Sequence, residues 1–323
     1  MRKKKQITRM KRNGECIECE KEEEDKVVER IRLAEDLTFS RIIQGLWRLA
    51  EWDYSKEEIL SFVEFCLEQG ITTFDHADIY GNYTCEALFG EALALKPSLR
   101  GQIEIVTKCG IKLASKYGLK HYDTSKEHII ASVHQSLKNF RTDYIDVLLI
   151  HRPDPFMNPE EVAEAFTRLK KEGKVRHFGV SNFKRSQFNM LQSYLDFPLV
   201  TNQIEVSAYC LENIEDGTVD LCLEKRIPPM VWSPLAGGKL FTATDDRAVR
   251  LRAALEQIRN KLGAETIDEV LYAWLLVHPA RMMPIVGSGK KERIIRAVRA
   301  LKLPLRREQW FEILQSSVGH EVP

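Results

Sequence analysis

The run Ile71-Thr72-Thr73-Phe74-Asp75-His76-Ala77-Asp78-Ile79-Tyr80 begins directly after Gly70. Its β-branched and aromatic first half reads as a short buried strand entered from a turn. The strand stops at a carboxylate, Asp75, which has left the core without reaching bulk water, and Tyr80 follows on the same connection. The fold depends on whether this pattern, an apolar run ending in a polar residue, recurs along the chain.

It recurs from Val27 to the C-terminus. A hairpin over about 27–40 leads into Ile42-Ile43-Gln44-Gly45-Leu46-Trp47, and Ser55-Lys56-Glu57-Glu58 opens an amphipathic helix through Leu67. Strand 71–75 precedes a helix near 84–95, and strand 103–108 precedes a helix capped by Thr124 or Ser125 that ends at Phe140. Strands 146–150, 175–180, 200–205 and 229–233 alternate with helices 159–171, 184–195 and 213–225 and a helical region 246–278. Strand 283–286 and helix 290–301 close the series. Eight such units without a Pro/Gly/Ser-rich linker predict an α/β fold, a (β/α)8 TIM barrel with an N-terminal β-hairpin cap and extra C-terminal helices. The fingerprint G-x-G-x-x-G is missing from the first strand-to-helix turn, which argues against a doubly wound dinucleotide fold. The loop 109–123 and a last helix around 306–317 lie outside the repeat, and a long loop at the mouth of a barrel belongs to a lid or pocket wall.

Residues 1–26 are almost entirely polar, with a basic block and then an acidic one, and are expected to be a poorly ordered extension or a solvated helix ahead of a single domain over 27–323. Cys16 and Cys19 form a lone CxxC with no second pair at zinc-ribbon spacing, so no function is assigned to it. Forty-eight basic residues against 47 acidic ones leave a charge of +1, too little to draw in nucleic acid or an anionic membrane. Seven scattered cysteines and no long apolar run fit a reduced, cytoplasmic protein. Helix surfaces of mixed charge leave the oligomeric state open.

The strand ends carry the chemistry, because in such a barrel they all open on one face. They give Asp75, Lys108 in I-E-I-V-T-K, His151 in D-V-L-L-I-H, Ser181 and Asn182 in F-G-V-S-N, Gln203 in T-N-Q-I-E, Trp232 and Ser233 in M-V-W-S-P-L, and Gly287 in P-I-V-G-S-G. With Tyr80, the first three would bring a carboxylate, a phenol, an ammonium and an imidazole to one partly desolvated space. That set suits delivery of a proton to a carbonyl oxygen. Tyr80 would be the acid, its pKa lowered by Lys108. Asp75 would hold Lys108 charged, and His151 would direct the carbonyl. No metal site is expected. A separate signal lies at the last repeat helix, where Gly287-Ser288-Gly289-Lys290-Lys291-Glu292-Arg293 places three cations at the end the macrodipole already makes positive. A phosphate docked there would resolve the conflict.

Asp75 and Tyr80 in D-H-A-D-I-Y, Lys108 in V-T-K-C-G, His151 in L-L-I-H-R-P-D-P and the run G-V-S-N-F together resemble the aldo-keto reductase family, over about Arg30 to Pro323. H-A-D-I-Y-G, I-H-R-P-D-P and P-I-V-G-S-G-K-x-E-R resemble a bacterial oxidoreductase branch of it. The resemblance implies reversible, NADPH-dependent reduction of an aldehyde or ketone, with Asp75, Tyr80, Lys108 and His151 as the catalytic tetrad and Tyr80 as proton donor. It implies Ser181, Asn182 and Gln203 at the nicotinamide carboxamide, Trp232 on the ring face, and Ser233, Leu235 and Gly237 along the pyrophosphate. Ser288, in the loop with Gly287, Gly289 and Lys290, and Arg293, in the first turn of the helix that follows, would take the 2'-phosphate and favour NADPH over NADH. The chain departs from the common pattern in carrying Trp232 for Tyr, Gly287 for a lysine, and Arg296 and Ala297 for glutamate and asparagine. Trp47, Trp52, Tyr83 and Tyr122 either wall the substrate pocket or pack over the barrel rim, and Trp274 and Trp310 are expected to be structural. Two other classes compete with this reading. One is a cofactor-binding, redox-sensing subunit with little turnover, and the other is a metal-dependent barrel hydrolase built on His76, Asp78, His151 and Asp154.

Overall fold

A computed structural model describes residues 8–12, 15–19 and 28–323. Strands β1 (Thr8–Arg12) and β2 (Glu15–Cys19) pair antiparallel, a hairpin where a loose tail or solvated helix was expected. Cys16 and Cys19 fall in β2. The rest of that expectation lies outside the described residues.

A second hairpin, β3 (Arg30–Ala34) and β4 (Leu37–Ser40), comes before the barrel. The barrel strands are β5 (Ile43–Gly45), β6 (Thr73–Asp75), β7 (Glu104–Cys109), β10 (Ile145–Ile150), β11 (Val175–Ser181), β12 (Asn202–Glu205), β13 (Met230–Trp232) and β14 (Met283–Val286). They form one closed parallel barrel in that order, with β14 pairing back to β5. The long loop after β7 holds a two-residue pair, β8 (Ile111–Lys112) and β9 (His121–Tyr122), around a single turn α3 (Ala114–Tyr117).

The helices start where their caps dictate. Ser55 and Glu58 make both halves of a capping box at α1 (Lys56–Glu68), and Ser125 caps α4 (Lys126–Phe140). Helix α1 turns Ile59, Phe62, Val63 and Cys66 inward, and each apolar side chain fully buried this way contributes roughly 1.5–3 kcal/mol. The remaining outer helices are α2 (Cys85–Leu93), α5 (Pro159–Lys171), α6 (Arg185–Gln192), α8 (Thr218–Lys225), α11 (Ile267–Leu276) and α12 (Lys291–Arg299). Two expected helices are each broken in two. Gly217, with φ of 82°, separates α7 (Glu212–Glu215) from α8, and Gly263, with φ of 67°, ends α10 (Asp246–Leu262) before α11. Helix α9 (Lys239–Thr242) is one turn, and α13 (Arg307–Val318) closes the chain against α10. Between α11 and α13, Trp274 and Trp310 stack at 5.1 Å, and each indole N–H donates to the other's backbone carbonyl.

Inside the barrel Ile31, Leu37 and Phe39 of the second hairpin pack with Ile43, Val106, Val147, Leu149, Met230 and Met283. Ser40 and Arg30 tie that hairpin to Thr72, Thr73 and Glu104, at the first residues of β6 and β7. The N-terminal end is therefore plugged by apolar side chains, and a polar site can open only at the opposite end.

Candidate active site

Asp75 ends β6 and Lys108 sits in the neighbouring strand β7, both buried. The Lys108 Nζ donates to Asp75 Oδ1 and Oδ2, each at 2.9 Å, to the His76 carbonyl at 2.6 Å and to the Tyr80 hydroxyl at 3.0 Å. The Gln203 amide nitrogen donates to Asp75 Oδ1 at 2.7 Å from across the barrel. Tyr80 reaches Lys108 because the chain turns sharply after β6, with the Asp78 N–H on the Lys108 carbonyl and the Tyr80 N–H on the Ala77 carbonyl. Behind Lys108, the next residue back in β7 is Thr107, whose hydroxyl donates to the buried Glu86 of α2. Ser136 and Asn139 of α4 donate to the same carboxylate, so two helices brace the strand that carries the lysine.

Burial opposes every charge in this cluster, and the partners decide which charges survive. Burial disfavours the Lys108 ammonium, yet Asp75 and Tyr80 together hold its pKa above the ordinary value. Burial pushes the Asp75 carboxyl up while Lys108 and Gln203 pull it down. With both carboxylate oxygens on the ammonium, the pair stands as an ion pair. For Tyr80 the expectation needs correction. Burial raises its pKa more than Lys108 lowers it, so the phenol keeps its proton at neutral pH instead of drifting toward phenolate. Because Lys108 donates to the phenol oxygen, the phenol hydrogen is left to point at something else.

His151 follows β10, its ring edge-on to Tyr80 at 5.9 Å between centroids. Burial, reinforced by Lys108, drives its pKa well below 6.5, so the imidazole is neutral. Its Nδ1 is buried without a partner, which leaves Nε2 as the nitrogen able to meet a ligand. His76 is also neutral and wholly buried, but it is wedged edge-on between Phe89 of α2 and Phe140 of α4 at 4.5 and 4.9 Å. It serves as wall, and only its backbone carbonyl joins the cluster. Among the described residues no three His, Cys, Asp or Glu side chains stand together to hold a metal ion.

The ends of β11 to β13 supply a second, planar part of the site. Ser181 Oγ donates to the Gln203 carbonyl, and Asn182, held at a φ of 63°, gives its side-chain N–H to Ser181 Oγ at 2.8 Å. The Trp232 indole N–H donates to Asn182 Oδ1 at 3.0 Å, which satisfies the ring nitrogen. Arg152 lies over the same indole at 5.5 Å. Beyond it Ser233, Ala236, Gly237 and Gly238 all have positive φ, so the segment carrying Leu235 folds into tight turns. Gly287, Ser288, Gly289 and Lys290 lead from β14 into α12, which starts with no side-chain cap. The ion pairs of α12 come from Arg296 and Arg299, while among the described residues Lys290, Lys291 and Arg293 pair with no carboxylate.

The aromatic rim divides. Tyr83 accepts the Leu113 N–H at 2.9 Å and so anchors the long loop after β7. Tyr122 lies in β9 of that loop, 39% exposed, and Trp47 stands 64% exposed on the connection after β5. Trp52 instead turns toward α1, edge-on to Phe62 at 5.3 Å, and toward Gly289. Three contacts had no sequence signal: the Gln203 link to Asp75, the His76 carbonyl and the Glu86 brace, since each depends on side-chain reach across elements.

Residues 41–317 match the Aldo/keto reductase family. An uncharacterized oxidoreductase YcsN of Bacillus subtilis is 63% identical over 300 residues, covering 92% of this chain and 100% of its own. A 6-dehydroglucose reductase of Agrobacterium fabrum is 44% identical over 91% of this chain and 100% of its own. The crystal structure of a thermostable aldo-keto reductase, Tm1743, with the inhibitor epalrestat superposes with a TM-score of 0.77 at 25% identity, covering 89% of this chain and 99% of that one.

Proposed function

The chain belongs to the aldo/keto reductase family and is a nicotinamide-dependent oxidoreductase, and from that premise we propose that it reduces an aldehyde or ketone with NADPH, using Tyr80 as the acid. The observation that carries this reading is the Lys108 ammonium bridging Asp75 and the Tyr80 hydroxyl at 2.9 and 3.0 Å.

The site's own groups suit the cofactor. Asn182 and Ser181 offer polar atoms beside the flat Trp232 indole, matching an amide on an aromatic ring. The uncapped start of α12, with Lys290, Lys291 and Arg293 paired to no carboxylate among the described residues, suits a phosphate. When bound, NADPH supplies the hydride that reduces the carbonyl carbon. The protein's part is the proton. Tyr80 donates it to the carbonyl oxygen, and Lys108, already bonded to the phenol oxygen, stabilises the phenolate left behind. Asp75 keeps Lys108 charged in a buried position, and Gln203 keeps Asp75 in place. Neutral His151 donates from Nε2 to the same carbonyl oxygen and fixes its direction.

For the substrate, a carbonyl on a polyhydroxylated skeleton is favoured. A relative 44% identical is a 6-dehydroglucose reductase, and Arg152, without an ion pair among the described residues, offers hydroxyl-binding donors beside Trp232. The test is NADPH consumption with a panel of aldehydes. The expected result is carbonyl-dependent consumption, faster for a glucose oxidised to the aldehyde at carbon 6 than for an apolar aldehyde of similar size. Absence of carbonyl-dependent consumption across the panel would reject the function.

A further inference from the structure

We propose that Gln44, Arg48 and Tyr54, on and just after the first barrel strand, are positioning residues that aim the Ser288 and Gly289 N–H groups and the Ser288 hydroxyl at the 2'-phosphate, and so set the preference for NADPH from the opposite side of the turn. This rests on the NADPH reading above.

Three consecutive carbonyls of the turn are held by three side chains of one connection. Arg48 Nη2 donates to the Gly287 carbonyl at 3.3 Å, Gln44 Nε2 to the Ser288 carbonyl at 3.3 Å and the Tyr54 hydroxyl to the Gly289 carbonyl at 3.2 Å. In a planar trans peptide the N–H of the following residue points opposite to the carbonyl. Each side chain therefore sets one N–H. Arg48 sets that of Ser288 and Gln44 that of Gly289, both directed away from the β5–α1 connection, while Tyr54 sets that of Lys290, which holds the Ser288 hydroxyl in place. The Lys290 N–H reaches Ser288 Oγ at 3.2 Å, which closes the turn and fixes the hydroxyl. Among the described residues the Ser288 and Gly289 N–H groups have no protein partner.

The clamp is directional and backed by a wall. Gln44 is fully buried and its Nε2 also donates to the Gly45 carbonyl at 2.9 Å, so a flipped amide would set its oxygen against two carbonyls. Behind Gly289 a Cβ would come within 2.7 Å of the Trp52 ring. Trp52 is itself held between Tyr54 at 5.8 Å and Phe62 at 5.3 Å, and Phe62 is buried. The turn cannot retreat from an incoming phosphate, and only glycine fits at 289.

The test is equilibrium binding of NADP+ and NAD+, read by quenching of intrinsic tryptophan fluorescence without turnover, in the wild type and in Tyr54→Phe and Gln44→Met. Tyr54→Phe keeps the aromatic packing and removes one hydrogen bond, so it remains informative if the buried Gln44 variant fails to fold. The expected result is NADP+ weakened about three- to tenfold per variant and NAD+ by less than about twofold, as one misdirected hydrogen-bonding group would give. Gly289→Ala should lose NADP+ selectively, and Gly289→Ala with Trp52→Leu should recover part of it. Equal weakening of both dinucleotides, or no change in Tyr54→Phe while the wild type binds NADP+, would overturn the clamp. A wild type that binds no NADP+ would overturn the NADPH reading itself and the clamp with it.

Discussion

The Lys108 ammonium and the Tyr80 phenol oxygen lie 3.0 Å apart, with the same ammonium 2.9 Å from both oxygens of Asp75. The phenol oxygen accepts from Lys108, so its own hydrogen is free to face a substrate. That one contact organises the chemistry of the mouth and has consequences at pH extremes and for folding.

Reduction needs Tyr80 protonated and His151 neutral. Burial raises the first above 10.0 and lowers the second well below 6.5. The turnover number for carbonyl reduction is therefore expected to be flat from pH 6.5 to 10, with oxidation of the alcohol rising with pH over the same span, since it needs the phenolate as base. Buffered turnover measurements in both directions check this. An acidic limb with its midpoint near 7 in the reduction profile would contradict the neutral imidazole.

The buried ion pair makes a folding prediction. Lys108→Met strands the Asp75 carboxylate and Asp75→Asn strands the ammonium, so each single change should cost about 3–5 kcal/mol in urea unfolding. Asp75→Asn combined with Lys108→Met should cost clearly less than the sum, because neither charge is then left alone. Strictly additive losses would mean that the two residues do not act as a pair.

His76 should make the fold sensitive to acid. Its folded-state pKa lies well below 6.5, so as pH falls from 6.5 the unfolded chain takes up a proton that the folded chain refuses. Stability present above pH 6.5 is lost on the way down, at up to about 1.4 kcal/mol per pH unit for one proton. His76→Phe, placed against Phe89 and Phe140, should flatten the stability profile below pH 6.5 by up to that slope, and an unchanged slope in denaturant titrations would contradict it.

The barrel was legible in the sequence because each unit carries its own local instructions. The Ser55–Glu58 capping box and Ser125 mark helix starts, and the β-branched runs end in the polar residues that gather at the mouth. Gly217 and Gly263 were visible as letters, but periodic apolar residues on both sides of each bridged the breaks, and a left-handed glycine does not register in a count of apolar positions. The partners of Tyr80 could be named from strand-end position alone. Its raised pKa could not, because spacing shows the neighbouring ammonium and does not show that desolvation outweighs it. Trp52 read equally as a pocket wall or as packing over the barrel rim, because its contact with Gly289, more than two hundred residues away, leaves no local trace. Gln44, Arg48 and Tyr54 were silent for the same reason, since they bind backbone carbonyls.

The most direct test of the central claim is the turnover of Tyr80→Phe with saturating NADPH and an active aldehyde, measured beside the equilibrium binding of NADP+. The expected result is a fall of about 10²–10⁴-fold in turnover, with binding of the dinucleotide within about twofold of the wild type because the lost hydroxyl sits at the acid and not at the phosphate. Equal turnover in the two proteins would contradict the assignment of Tyr80 as the proton donor.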